Sequence, residues 1–151
     1  MIVISESAKE TQKIAADLAK KLLAEKTRRA LILALSGELG SGKTTFIKGF
    51  SKMLGVREKV LSPTFVLIHK HKIKKRSKNL YHIDAYRLNS EKDLLKLGIK
   101  EIFADSKNIV LIEWADRVRK IIPKTALWIR FEHTSKAKRK ISIDLSKQFR
   151  L

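Results

Sequence analysis

The run of apolar and polar positions divides the chain into strand-like and helix-like stretches. Ile2-Val3-Ile4 has the character of a short strand. Ser7-Ala8-Lys9-Glu10 has the form of a capping box, with Ser7 as N-cap and Glu10 reaching back. Behind it Ile14, Leu18 and Leu22, with Ala15, Ala19 and Leu23, recur at helical spacing and make one apolar stripe. A stripe of this kind is read as core rather than as a partner-binding face. Residues 30–35 are apolar without interruption, as in a strand covered on both faces. Phe46, Ile47, Phe50, Met53 and Leu54 predict the next helix, closed by Gly55. Residues 62–64, Ser-Pro-Thr, read as loop. Residues 66–73 and 79–86 look extended and flank the basic tip KKRSK, which predicts a hairpin. A short helix follows over 90–97, ending at Gly98, then a buried strand over 109–112 and a brief helix over 117–122. Residues 126–131 and 141–145 are two late strands, expected as antiparallel neighbours at one side of the sheet. The fold class is α/β, a mixed sheet flanked by helices with an antiparallel hairpin and late edge strands, in a single domain over 1–151.

Composition narrows the picture. A length of 151 residues suits one core. The absence of cysteine excludes a disulfide framework, a thiolate zinc site and a cysteine nucleophile. The longest apolar run is six residues, short of a membrane span, and the start MIVISESAKE lacks a basic-then-apolar leader. The expectation is a soluble, cytoplasmic protein. The formal charge of +19 makes a field that attracts polyanions. It is concentrated at Lys70, Lys72, Lys74, Lys75, Arg76 and Lys78, and again at Lys136, Lys138, Arg139 and Lys140. No aromatic residue interleaves either group, so a base-stacking platform is not indicated.

The chemistry lies in Gly37-Glu38-Leu39-Gly40-Ser41-Gly42-Lys43-Thr44, which matches G-x-x-x-x-G-K-[ST] in full. Polyphosphate is wrapped by backbone N–H groups, and the glycines permit the turns and the close approach. The helix begun at Lys43 points its positive dipole end at the phosphates. Lys43 reaches the β and γ oxygens and the Thr44 hydroxyl ligates Mg2+. The required context is present, because an apolar strand precedes the loop and a helix pattern follows it. The companion acid belongs at a strand end beside the loop. Asp84 follows Leu80-Tyr81-His82-Ile83 and Glu113 follows Ile109-Val110-Leu111-Ile112, so both are candidates. One would bind the metal and the other orient the attacking water, and spacing leaves the assignment open. Neither N-K-x-D nor D-x-x-G occurs, which favours ATP over GTP. His69 and His71 share a strand face, with His82 expected across the hairpin; these read as polar strand histidines rather than a zinc site.

Together the motifs resemble one family, the bacterial P-loop ATPase of tRNA threonylcarbamoyladenosine (t6A) biosynthesis, TsaE (the YjeE type). The resemblance rests on LSGELGSGKTTFIKGF at 35–50, SPTFVL at 62–67, YHIDAYRL at 81–88 and VLIEWADR at 110–117. The stretch DLLKLGIKEIF at 93–103 looks like the family's segment between the last two blocks. It implies that Lys43 and the loop from Gly40 through Ser41, Gly42 and Thr44 to Thr45 bind ATP, and that Thr44 and Glu113 hold Mg2+. Asp84 would sit close to the metal and take part in hydrolysis. Ser62 and Thr64 would form a switch-like loop near the γ-phosphate, Trp114 would pack beside the site, and the start of the first helix, around Thr11, would approach the adenine. Arg139 corresponds to a late basic residue near the nucleotide; that segment matches poorly, and a solvated basic turn is the favoured reading there.

The resemblance also implies a role. The ATPase would act with the threonylcarbamoyl-transferase subunit and its paralogous partner, on adenosine 37 of tRNA, with weak hydrolysis when alone. One departure is the basic hairpin, which leaves direct tRNA contact open. Two other readings stand beside this one: a small-molecule P-loop kinase, and a basic tRNA-binding module with a structural nucleotide.

Overall fold

A computed structural model describes residues 1–25, 27–56, 67–76 and 78–144. Seven strands form one sheet: β1 (Ile2–Ser5), β2 (Leu31–Gly37), β3 (Ile68–Ile73), β4 (Lys78–Asp84), β5 (Asn108–Glu113), β6 (Leu127–His133) and β7 (Arg139–Asp144). Their spatial order is β1-β7-β6-β2-β5-β4-β3. The centre is parallel, with β2 between β5 and β6 and β4 beside β5. Both margins are antiparallel, β3 on β4 at one and β6-β7-β1 at the other. The late strands lie toward one side as expected, and β1 adds itself outside β7. The hairpin tip is a 3-10 turn at Lys74–Arg76.

Two apolar layers sandwich the centre. Helices α1 (Ala8–Ala24) and α2 (Lys43–Met53) cover one face, where Leu18, Leu22, Phe46 and Phe50 meet Leu33, Leu35, Leu111 and Phe131. The period-3.6 stripe of α1 is the buried one. At Gly49 a Cβ would stand 2.4 Å from the Gln12 carbonyl oxygen of α1, so only glycine admits the crossing there. The other face is covered by α3 (Glu91–Lys96), α4 (Ile99–Ala104) and a 3-10 segment at Ala115–Ile121, packing Leu94, Ile99 and Phe103 on Ile83, Val110 and Ile112. The chain continues as α4 past Gly98, which a single helix over 90–97 does not anticipate. Gly98, at φ +75°, ends α3 and is the N-cap of α4.

At the start of α1 the Ser7 hydroxyl accepts from the Glu10 N–H at 3.1 Å. Glu10 returns its carboxylate to the N–H of Glu6, at 2.7 Å, one residue before the N-cap. The capping box is thus closed one residue early. Among the described residues no helix is long and apolar enough to cross a membrane.

Candidate functional site

The strand order brings the phosphate-type loop to the carboxyl ends of parallel strands. β2 ends at Gly37, in register with Phe131 of β6, and Leu35 is in register with Glu113 of β5. Asp84 ends β4 in register with Glu113. Two acids far apart in the chain thereby stand side by side. Register partners on parallel strands share a face, so both carboxylates lie on the side of α2.

The loop is built around Lys43. Its ammonium donates to the carbonyls of Gly37 and Glu38, at 2.7 and 2.8 Å, and to the Ser41 hydroxyl at 3.4 Å. It also lies 3.9 Å from the centroid of the Trp114 ring. Burial lowers the Lys43 pKa from its ordinary value; Glu113, then Asp116 and Asp84, act in the opposite direction. Glu113 is buried. The Thr44 hydroxyl donates to its Oε2 at 2.8 Å, and His82 Nε2 lies 2.8 Å from its Oε1. Asp84 accepts from the Tyr86 N–H at 3.0 Å through Oδ1, which shapes the turn after β4. Trp114 follows Glu113 with φ +57°, the only non-glycine at positive φ among the described residues. That conformation costs an L-residue about 1–2 kcal/mol. It lays the indole against Lys43 and 4.8 Å from the Tyr86 ring.

The resulting cleft, about 250 Å³, is lined by the loop from Leu39 to Thr45 together with Asp84, Tyr86, Arg87, Glu113 and Trp114. Gly37 and Glu38 are not part of that lining; their carbonyls hold Lys43, which is. Ser62 and Thr64 lie outside the described residues. Thr11 is not brought to the cleft. It is buried, and its hydroxyl is committed to Ser5 Oγ at 2.7 Å and to the Ser7 carbonyl at 3.2 Å. Arg139 sits in an exposed basic turn, where its guanidinium donates to the carbonyls of Ser135, Lys136 and Lys138, and it also lies within 3.4 Å of Gly40 O of the loop.

Reading by residue left Tyr86, Asp116 and His82 without roles at the site. The signal for His82 was present. It stands two residues before Asp84 in a strand, and alternation puts both on one face. The three histidines of the hairpin divide: His82 is opposite His69 in the ladder, yet its Nε2 is taken by Glu113. Among the described residues no group of three or more His, Cys, Asp or Glu is placed to hold a metal. A hydroxyl and a carboxylate beside a phosphate cradle are the donors Mg2+ uses in nucleotide sites, where substrate phosphates complete its shell. Thr44 and Glu113 fit that ion.

Comparison with known proteins agrees with this geometry. The family described as "Threonylcarbamoyl adenosine biosynthesis protein TsaE" matches residues 5–141. The chain belongs to the TsaE family. It is 36% identical over 122 residues to the tRNA threonylcarbamoyladenosine biosynthesis protein TsaE of Bacillus subtilis, covering 81% of this chain and 74% of that one. The namesake in Treponema pallidum is 32% identical over 143 residues, covering 95% and 99%. The crystal structure of Bacillus subtilis YdiB superposes with a TM-score of 0.78 at 28% identity, covering 99% of this chain and 88% of that chain. The TsaE fold is thus shared along nearly the whole chain.

Proposed function

We propose that this TsaE-family chain is a Mg2+-dependent ATPase that serves t6A formation on tRNA in the cytoplasm. The observation that carries the reading is the Thr44–Glu113 contact at the mouth of a complete phosphate loop, with Asp84 in register beside it. Mg2+, when bound, supplies charge neutralisation between phosphate oxygens. The chain's own residues do the rest. The loop amides and the start of α2 wrap the phosphates. Lys43 trades the carbonyls of Gly37 and Glu38 for β and γ oxygens. Thr44 and Glu113 hold the ion. The water-orienting role is assigned to Asp84, which stands in register beside Glu113 and is less buried. Arg139 reaches the loop from β7 and adds positive charge there.

The partners implied are the threonylcarbamoyl-transferase subunit and its paralogue, with tRNA held near the exposed Lys70, Lys72, Lys75 and Arg76 of the hairpin. The test is phosphate release from ATP with and without those subunits, in wild type and Lys43→Ala. The expected result is partner-stimulated release that Lys43→Ala abolishes. Equal rates for the two proteins refute the ATPase reading, and transfer of phosphate to a metabolite favours the kinase.

A further inference from the structure

Glu113 is held from two directions. Thr44 Oγ1 donates to Oε2 and the His82 ring meets Oε1, each at 2.8 Å. His82 and Glu113 are 1% and 2% exposed. The second ring nitrogen of His82, Nδ1, is buried and has no hydrogen-bond partner among the described residues. An ionised carboxylate only accepts, so Nε2 carries the donated proton. His82 is itself fixed by the sheet, with Leu111 beside it on β5 and His69 on β3. Its ring lies on the face that carries Asp84 and Glu113.

We propose that His82 is a positioning residue for the cation site. Its Nε2–H pins Oε1 of Glu113, sets the plane of the carboxylate and aims Oε2 at the Thr44 hydroxyl. A glutamate held at one end only has several rotamers to lose when it takes a cation. One pinned by a buried ring has already lost them. Outer partners of this kind are worth 10–100-fold in metal affinity at known sites. The inference rests on the Mg-ATP reading and adds to it a residue that touches neither nucleotide nor ion.

The experiment compares full-length His82→Gln and His82→Asn. Both place an amide in the same buried position. Glutamine reaches the place of Nε2, whereas asparagine reaches only that of Nδ1. Mn2+ affinity in the presence of ATP is read by electron paramagnetic resonance, with metal-free ATP affinity as the control. His82→Gln should stay within about threefold of wild type, and His82→Asn should lose about tenfold or more. ATP affinity in chelator should be alike in all three. Equal Mn2+ losses in the two variants, or none in either, overturn the proposal while leaving the Mg-ATP reading in place. A wild type that binds no Mn2+–ATP overturns both. Nitrogen-15 spectra of the wild-type imidazoles give a reading that needs no variant to fold: the proton belongs on Nε2 of His82, and a proton on Nδ1 alone sinks the idea.

Discussion

Gly37 is where the sheet becomes the phosphate loop, and Gly37→Ala tests how tightly that junction is built. Its φ is +138°, and an added Cβ would stand 2.4 Å from the Phe131 carbonyl oxygen and 3.0 Å from Ser41 Oγ. Ordinary contact begins at 3.4 Å, so the end of β2 has to retreat by about 1 Å. The obstacle is backbone in a paired strand, and it cannot swing aside without opening the β2–β6 ladder. Strain at a φ that glycine alone adopts readily costs about 1–3 kcal/mol, and overpacking adds about 1–3 kcal/mol. A loss of roughly 3 kcal/mol lowers the midpoint of a chain this size by about 6–12 °C. Gly40→Ala is the control: φ is +71°, but among the described residues nothing lies within 4 Å of an added Cβ. It should lose only the backbone part, about 1–2 kcal/mol. Thermal unfolding of the two variants beside wild type is the assay. Equal shifts for both refute the steric argument. Retreat of Gly37 also withdraws the carbonyl that holds Lys43 at 2.7 Å, so Gly37→Ala should weaken ATP binding as well.

Other consequences follow from the same geometry. Burial lowers the Lys43 pKa, so between its folded value and 10.5 the unfolded chain binds more protons and stability rises with pH. The midpoint of wild type relative to Lys43→Met should therefore climb as pH goes from 7 toward 10.5; a flat difference contradicts the burial. Arg139→Ala should reduce ATP affinity several-fold with a midpoint loss below about 4 °C, since an exposed guanidinium contributes at most ~1 kcal/mol to stability; calorimetry with an unaltered affinity removes Arg139 from the site. Replacing Lys70, Lys72, Lys75 and Arg76 by glutamine should lower the salt-dependence slope of tRNA binding by up to about 3–4, close to one per lost phosphate contact. An unchanged slope, read by filter binding across salt concentrations, excludes the hairpin as a tRNA contact.

Much of the site was legible because its signals are local. The glycine and lysine spacing of the loop, the apolar runs of β2 and β5, and the acid directly after each of β4 and β5 are properties of a few adjacent residues. The stripe of α1 is local too, since a helix presents the same face every 3.6 residues. Gly49 carried a weaker signal. A glycine inside a helix pattern marks close approach, but only the crossing with Gln12 says of what.

What the sequence by itself determined is therefore the kind of chemistry: a phosphate-wrapping loop between strand and helix, with acids at strand ends. The tertiary structure alone decided which groups meet. Asp84 and Glu113 are neighbours because β4 and β5 pair in parallel with that register, and a shift of one residue would have turned one acid to the opposite face. His82 reaches Glu113 through the same register, 31 positions away in the chain. Arg139 reaches Gly40 across 99 positions because β7 folds back on β6. Thr11 is buried, and its hydroxyl meets Ser5 of β1. Such contacts depend on strand order and register, which are settled by how whole apolar faces pack and not by any residue's neighbours in the chain.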